Sequence, residues 1–187
     1  MNVDFLDTTI GRLILVAANG RLVYCNWDEP ECERKLAKVL KFKSVGKCLS
    51  EVLKLSDSTN EAFCHLSQEI NDKKVILQAK KQLLEYFAGQ RNFFTVKTLC
   101  NGTDFQKKVW SELSHLNYGE KATYKEIGER VGNAQGSRAI ANACGANPFA
   151  IIVPCHRVTG SRGDIGGYTG GIRKKIALLE LERAGML

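Results

Sequence analysis

The sequence has no long apolar run and no cysteine pair spaced as C-x-x-C. Because a membrane-spanning helix needs about 20 mainly apolar residues, we expect no segment that crosses a membrane. Residues 1–13 include an early acid and no long apolar stretch, so they do not look like a signal peptide. The seven cysteines are an odd number, which argues against a disulfide framework or a four-cysteine zinc site and favours a reducing intracellular compartment.

Acidic residues and histidines are also few. The formal net charge is +7 with three histidines, and such a basic balance favours nucleic acid, although many basic proteins bind none. Glycine fills six of the twelve positions 160–171, but this stretch lacks the G-K-[ST] ending of a phosphate-binding loop. We interpret it as a shaped loop whose glycines let the backbone approach a planar ligand, with a loop of tight turns around a core tyrosine as the alternative.

Strand signals come first in the chain and helix signals follow. Asn19-Gly20 is a strong hairpin turn between apolar segments. The predicted elements of the first half are strands within Val3–Trp27 and helices at Pro30–Leu40, Glu61–Ile70 and Lys74–Ala88. Gly89 provides a stop for the last helix, and Arg91–Gly102 looks like a strand and a linker.

The second half is mainly helical. Thr103 and Gln106 can form a capping box that starts a helix at Asp104, and Thr123 and Glu126 can form another that starts a helix at Tyr124. Two short helices, Tyr124–Val131 and about Gln135–Cys144, then follow each other with a turn at Gly132-Asn133, which is a helix-turn-helix pattern. Ile151–Val153 is predicted as a short buried strand and Arg173–Arg183 as a closing helix.

These patterns predict an α+β protein of two domains. Residues 1–95 form a small antiparallel sheet with helices, residues 96–103 a linker, and residues 104–187 a mostly helical domain with the helix-turn-helix.

The strongest chemical signal is the pair Cys155 and His156, which follows an apolar segment. A thiolate is the reactive form of cysteine, and a neighbouring base that accepts the proton increases its fraction. Since adjacent side chains of an extended chain point to opposite faces, one bridging water can carry the proton between them. An acid that orients the imidazole is also required, and Glu180 and Glu182 are both candidates. The alternative is a buried thiol beside a histidine that binds the loop.

The second helix of the helix-turn-helix carries small side chains around one cation, Arg138. Small residues let a helix approach a surface closely, and the arginine can reach a phosphate or the base stack. An ordinary helical hairpin, in which Ala139, Ile140 and Ala143 simply pack, explains the pattern equally well.

Together these segments resemble the O6-alkylguanine-DNA alkyltransferases, also called methylated-DNA–protein-cysteine methyltransferases. The resemblance extends from Thr103 to the C-terminus, whereas the first half is similar only in a ribonuclease H-like layout. It is carried by Phe105-Gln106, Trp110, Gly119-Glu120, Tyr124, Ser137–Ala139 (SRA), Asn147-Pro148, Pro154–Arg157 (PCHR) after Ile-Ile-Val, Gly167–Gly171 (GYTGG), and Leu178-Leu179 before Glu182.

The resemblance implies a role for each matching residue. Cys155 would attack the alkyl carbon, His156 would take the thiol proton through a water, and Glu182 would orient His156. Helical phase agrees that only one of Glu180 and Glu182 should face the site. Three further groups follow: Asn147 would tie the helix-turn-helix to the active-site loop; Arg138, Tyr124, Ser137 and Ala139 would bind DNA; and Val158, Tyr168 and Thr169 would line the base pocket.

The implied activity is DNA repair by direct reversal. The helix-turn-helix would bind duplex DNA in the minor groove, and the damaged nucleotide would be flipped out, because a stacked guanine hides its O6 substituent from an in-line thiolate. O6-alkylguanine would be the main substrate and O4-alkylthymine a lesser one. A thioether does not readily return the alkyl group, so we expect one repair per chain, by a monomer, in the nucleus of a eukaryote or the cytoplasm of a prokaryote.

No cofactor is expected. Some relatives bind structural zinc through cysteine and histidine in the first domain, but His65 is the only histidine before residue 104 and no such ligand set is recognisable.

Two other functions remain open at this point. A DNA-binding damage sensor or regulator would keep DNA affinity without transfer. A papain-like hydrolase is disfavoured, because its histidine lies far downstream of the cysteine and none follows His156 here.

Overall fold

The computed structural model describes residues 1–39, 64–161 and 163–185. The chain divides into two compact units, Met1–Asn101 and Gly102–Leu187, at a point inside the predicted linker. The predicted α+β class is confirmed, since a small sheet dominates the first unit and helices dominate the second.

A three-stranded antiparallel meander forms the sheet of the first unit. Its strands are β1 (Asn2–Thr8), β2 (Gly11–Ala18) and β3 (Arg21–Trp27). The turn between β2 and β3 is at Asn19 and Gly20, whose φ angles of 55° and 67° are those that two-residue hairpins require. This confirms the predicted turn. The central strand β2 is apolar and fully buried from Leu13 to Ala17, as expected for the middle of a covered sheet.

One long helix, α2 (Cys64–Phe87), stands where two helices were predicted, and that division was therefore wrong. The proposed gap at positions 71–73 contains neither glycine nor proline, so nothing there interrupts helical hydrogen bonding. Asp72 within the gap is buried and accepts a 2.6 Å hydrogen bond from the backbone N–H of Gly20, which fixes the helix to the hairpin. The buried apolar face of α2 consists of Ile76, Ala79, Leu83 and Tyr86.

Other predictions for the first unit were correct in part. Helix α1 (Pro30–Val39) begins at the predicted proline, and Leu40 lies outside the described residues, as do positions 61–63 of the predicted second helix. Within Arg91–Gly102, predicted as a strand and a linker, the strand pairing is limited to a parallel bridge between Thr98 and Leu22. In the described ranges, no helix combines the length and apolarity needed to cross a bilayer.

The second unit packs four helices: α3 (Asp104–Ser114), α4 (Tyr124–Arg130), α5 (Ser137–Gly145) and α6 (Ile172–Ala184). Both predicted capping boxes are present, at Thr103 for α3 and at Thr123 for α4. Helices α4 and α5 form the helix-turn-helix. Trp110 of α3 is buried and donates its indole N–H to the carbonyl oxygen of Ala143 at 2.8 Å, which anchors α5.

The predicted strand at Ile151–Val153 was wrong, because this stretch is a series of turns. Ile151 has a φ of 69°, a left-handed conformation that is rare for a β-branched residue and cannot continue a strand. The strand pairing in this unit is instead a two-residue parallel pair that the sequence did not reveal. It joins β4 (Ala122–Thr123) to β5 (Val158–Thr159), just beyond Cys155.

The α3 cap offers a test of this architecture. Thr103→Ala removes the hydroxyl that accepts a hydrogen bond from the backbone N–H of Gln106 at 3.2 Å. We expect the free energy of unfolding to fall by about 1 kcal/mol, measured by urea titration of the full chain. Thr103→Ser, which keeps the hydroxyl, should stay close to the wild type, and equal losses in the two variants would contradict the cap.

Candidate active site

Cys155 begins a 3₁₀ turn, Cys155–Arg157, that follows the turns around Ile151. Its side chain is partly exposed, whereas His156 and Arg157 are buried. The chain here is therefore a turn and not the extended segment that the sequence led us to expect. The turn leaves Cys155 partly exposed and buries the two following residues.

Asn147 holds the loop that leads to Cys155. Its side-chain nitrogen donates to the carbonyl oxygens of Phe149 and Val153, at 3.1 and 2.8 Å, and lies 3.3 Å from the sulfur of Cys155. Two amide hydrogens are thus shared among three acceptors. An N–H directed at sulfur stabilises the thiolate more than the thiol. Asn147 therefore positions the nucleophile and favours its negative charge.

His156 and Glu182 form a pair with no solvent exposure, in which Nε2 lies 2.8 Å from Oε1. An ionised carboxylate only accepts hydrogen bonds, so Nε2 carries a proton and Nδ1 presents a lone pair. Nδ1 is buried and has no hydrogen-bond partner among the described residues. Burial lowers the pKa of His156, partly offset by Glu182, so the imidazole is neutral at physiological pH and can accept a proton at Nδ1.

Among the described residues, Glu182 accepts hydrogen bonds from two segments, the turn at Cys155–Arg157 and the loop at Gly119. Besides His156, the Nε and Nη2 atoms of Arg157 donate to its two oxygens at 2.9 and 2.8 Å, and the backbone N–H of Gly119 donates at 3.0 Å. Burial opposes ionisation, but the hydrogen bonds from His156 and Arg157 outweigh it and hold the pKa of Glu182 far below its ordinary value. Glu180 is exposed, so one of the two glutamates faces His156, as helical phase predicted, and it is the one that the family resemblance indicated.

Lys175 is a second buried charge that the sequence analysis did not identify. It has no solvent exposure and donates to the carbonyl oxygens of Val158 at 2.6 Å and Gly167 at 3.4 Å. It thereby joins the backbone after Cys155 to the glycine-rich loop. Burial lowers its pKa, while the nearby thiols of Cys155 and Cys144 favour its charged form. The sequence pattern that could have indicated its burial is the spacing of Lys175, Leu178 and Glu182, which places all three on one face of the helix.

The residues predicted to bind DNA fall into two places. Ser137 and Arg138 are exposed on the first turn of α5, and Ala139 is half-buried beside them. Tyr124 lies nearer the nucleophile: burial raises its pKa to about 12, and the thiols of Cys144 and Cys155 add to the effect. A β-carbon at Gly166 would come within 2.9 Å of the Tyr124 hydroxyl, so glycine there permits the loop to pack on the tyrosine.

The residues predicted to line a base pocket lie just after Cys155 and in the glycine-rich loop. Val158 is fully buried, and Tyr168 and Thr169 are half-buried in the glycine-rich loop. The Thr169 hydroxyl donates to the carbonyl oxygen of Gly145 at 3.2 Å, which ties this loop to the end of α5. Among the described residues, no group of three or more His, Cys, Asp or Glu side chains is placed to hold a metal ion.

Comparison with known proteins gives one consistent result. A family profile described as the 6-O-methylguanine DNA methyltransferase DNA-binding domain matches residues 104–184. A probable methylated-DNA–protein-cysteine methyltransferase of Acanthamoeba polyphaga mimivirus is 48% identical over 59% of this chain and 74% of its own length. A Methanosarcina acetivorans protein of the same name is 46% identical over 60% and 72%.

Solved structures extend the similarity to the first unit. The crystal structure of Mycobacterium tuberculosis OGT in complex with DNA matches 97% of this chain and 92% of its own, with a TM-score of 0.70 and 32% identity. The crystal structure of the Mycobacterium tuberculosis O6-methylguanine methyltransferase matches 98% and 93%, with a TM-score of 0.72 and 33% identity. The chain therefore belongs to the family of methylated-DNA–protein-cysteine methyltransferases.

Proposed function

We propose that this chain repairs DNA by direct reversal, moving the alkyl group of O6-alkylguanine, and less efficiently of O4-alkylthymine, onto Cys155. The observation that carries the proposal is the partly exposed Cys155 beside a buried His156 whose free Nδ1 can accept a proton. Membership of the family supports the same chemistry.

The transfer is a single displacement. The Cys155 thiol loses its proton towards Nδ1 of His156, with a water as the bridge, and the sulfur attacks the alkyl carbon. A carbon–sulfur bond forms while the bond from carbon to guanine O6 breaks, and the electron pair returns to the guanine. The guanine gains one proton at N1, so the overall exchange of a thiol proton for an alkyl group is balanced.

The product supports one repair per chain. S-alkylcysteine is a stable thioether, and reversing it would need a second nucleophile at the same carbon. Cys144 is near, but burial raises its pKa and keeps it a thiol at neutral pH, which is the unreactive form. The residues of the proposed site, Asn147, Cys155, His156 and Glu182, come from one chain, so we propose that a monomer acts.

Duplex DNA would bind to the helix-turn-helix. The small residues of α5 suit close approach in the minor groove, and the exposed Arg138 would fill the gap left by the flipped nucleotide. Flipping costs a few kcal/mol and less for a damaged pair, which would supply part of the selectivity. Tyr124 would crowd the target phosphate, and Val158, Tyr168 and Thr169 would line the pocket for the base.

Cys155 is tested by following a labelled alkyl group. We expect full-length protein incubated with duplex DNA carrying O6-[methyl-³H]guanine to gain one methyl group per chain at Cys155, located by peptide mass spectrometry. Cys155→Ser should gain none, and Cys100→Ser should behave as wild type because Cys100 lies outside the site. Transfer to Cys155→Ser would contradict Cys155 as the acceptor, and DNA binding without any transfer would favour the sensor alternative.

Arg138→Ala tests the role in base flipping. We expect transfer from duplex DNA to slow by about tenfold, equivalent to ~1.4 kcal/mol, while the reaction with free O6-benzylguanine is unchanged, since the free base needs no extrusion. The comparison is of single-turnover rates on the two substrates. Arg130→Ala, another exposed arginine of the helix-turn-helix, serves as the control. Equal losses on both substrates would show that Arg138 does not act in flipping.

Glu182→Gln tests the orienting acid. A glutamine amide can donate to Nε2 and so allow the tautomer that protonates Nδ1, which removes the proton acceptor. We expect transfer from O6-benzylguanine to slow by at least about tenfold, with unchanged affinity for undamaged duplex DNA in a gel-shift titration. Thermal melting by circular dichroism verifies that the variant is folded. Weakened DNA binding with an unchanged transfer rate would contradict the assignment.

A further inference from the structure

The buried cluster behind Cys155 contains a cation that proton transfer from the thiol does not itself require. We propose that Arg157 is a positioning residue that keeps His156 neutral and able to accept a proton, because it shares the negative charge of Glu182. This inference rests on the proposed alkyl transfer to Cys155 and assigns a role to a further residue of that site.

The Arg157 guanidinium is held by hydrogen bonds to Glu182 and Leu116 and lies near the ring of Tyr118. Nε and Nη2 bind both oxygens of Glu182, and Nη1 donates to the carbonyl oxygen of Leu116 at 2.6 Å. The guanidinium carbon lies 5.8 Å from the ring centre of Tyr118, and Arg157 is 4% exposed. A rigid, two-point contact with a carboxylate is the geometry in which arginine differs most from lysine.

The guanidinium of Arg157 changes the effect of Glu182 on the pKa of His156. A buried carboxylate whose only partner is histidine stabilises the imidazolium, because the two form an ion pair. Here Arg157 already balances the charge of Glu182. A proton on His156 would leave a net positive charge in a buried cluster, and an uncompensated buried charge is costly.

The charged groups around His156 act on its pKa in opposite directions. Glu182 on α6 favours the imidazolium, while Arg157 in the same turn and Lys175 on α6 disfavour it, and burial lowers the pKa of His156 further. Lys175 also interacts electrostatically with the thiol of Cys155. The cluster therefore favours a thiolate beside a neutral imidazole over a thiolate–imidazolium pair.

This arrangement makes His156 a relay for the proton. The proton that leaves the sulfur of Cys155 is accepted at Nδ1, and the imidazolium so formed gives it up through the bridging water to N1 of the departing guanine, because the ring lacks an unshared carboxylate to hold the charge. Glu182 then serves mainly to fix the tautomer, through the hydrogen bond at Nε2. The two functions of a triad acid, orientation and charge stabilisation, are thus separated by Arg157.

The test compares Arg157→Gln with Arg157→Lys across pH 5.5 to 8.5. Glutamine keeps hydrogen-bond donors near Glu182 but removes the charge, whereas lysine keeps the charge. Loss of the charge raises the pKa of His156, so the ring becomes protonated at higher pH and loses its acceptor. We expect the acidic limb of the transfer rate from O6-benzylguanine to move up by about one pH unit in Arg157→Gln, and to stay near that of wild type in Arg157→Lys.

A second measurement does not depend on how well the Arg157 variants fold. In wild-type protein labelled with ¹⁵N-histidine, NMR should show His156 neutral at pH 7, with the proton on Nε2. The His65→Gln and His115→Gln variants identify the other two signals.

The outcomes separate the two proposals. A wild-type chain that takes no benzyl group contradicts the proposed function itself. A wild type that does transfer, together with a folded Arg157→Gln whose acidic limb is unmoved, contradicts only the role of Arg157. A protonated His156 at pH 7 in the wild type does the same, even if Arg157→Gln fails to fold.

Discussion

The carboxylate of Glu182 is the constraint on which the second unit depends. A fully buried carboxylate is tolerated only when hydrogen bonds and an opposite charge compensate it, because desolvation otherwise costs several kcal/mol. Here the compensation comes from two separate segments, the turn after Cys155 and the loop at Gly119, and both bind this residue of helix α6. Folding of the C-terminal helix and assembly of the site around the sulfur are therefore one event, and neither segment can move without exposing an unpaired charge.

The end of helix α5 connects the surface that would bind DNA to the sulfur of Cys155. Its last turn is anchored by Trp110, its Gly145 carbonyl binds Thr169, and Asn147 immediately beyond it binds the loop and Cys155. The left-handed Ile151 lies inside the loop that Asn147 closes, and such a strained residue persists only where its surroundings fix it. A shift of α5 is therefore transmitted to the nucleophile through bonded contacts rather than through a flexible connection.

The sequence predicted what local rules determine and missed what depends on distant partners. Capping boxes at Thr103 and Thr123 and the Asn19-Gly20 turn follow from neighbouring residues. Helical phase required that only one of Glu180 and Glu182 face the site, and the family resemblance indicated Glu182. The burial of Arg157 and Lys175 was missed because a charged side chain is expected at the surface until its buried partners are known. Likewise, three apolar residues at 151–153 match a strand, and only the contacts of Asn147 with both sides of the loop explain why they turn. The pairing of β4 with β5 joins residues too far apart in sequence for any local pattern to reveal.

Cys144 and Cys155 show how surroundings, rather than residue type, decide which thiol reacts. Both lie in the same unit and both interact electrostatically with Lys175. Cys144 is buried, and burial raises its pKa, so its sulfur remains protonated and inert. Cys155 is partly exposed and receives the N–H of Asn147, so a negative charge there is both solvated and hydrogen-bonded. The cost of ionising a thiol is thus lowered at one sulfur and raised at its neighbour. Among the described residues this cluster has two buried cations, Arg157 and Lys175, and Arg157 is already bound to Glu182, so the cluster can stabilise a single thiolate.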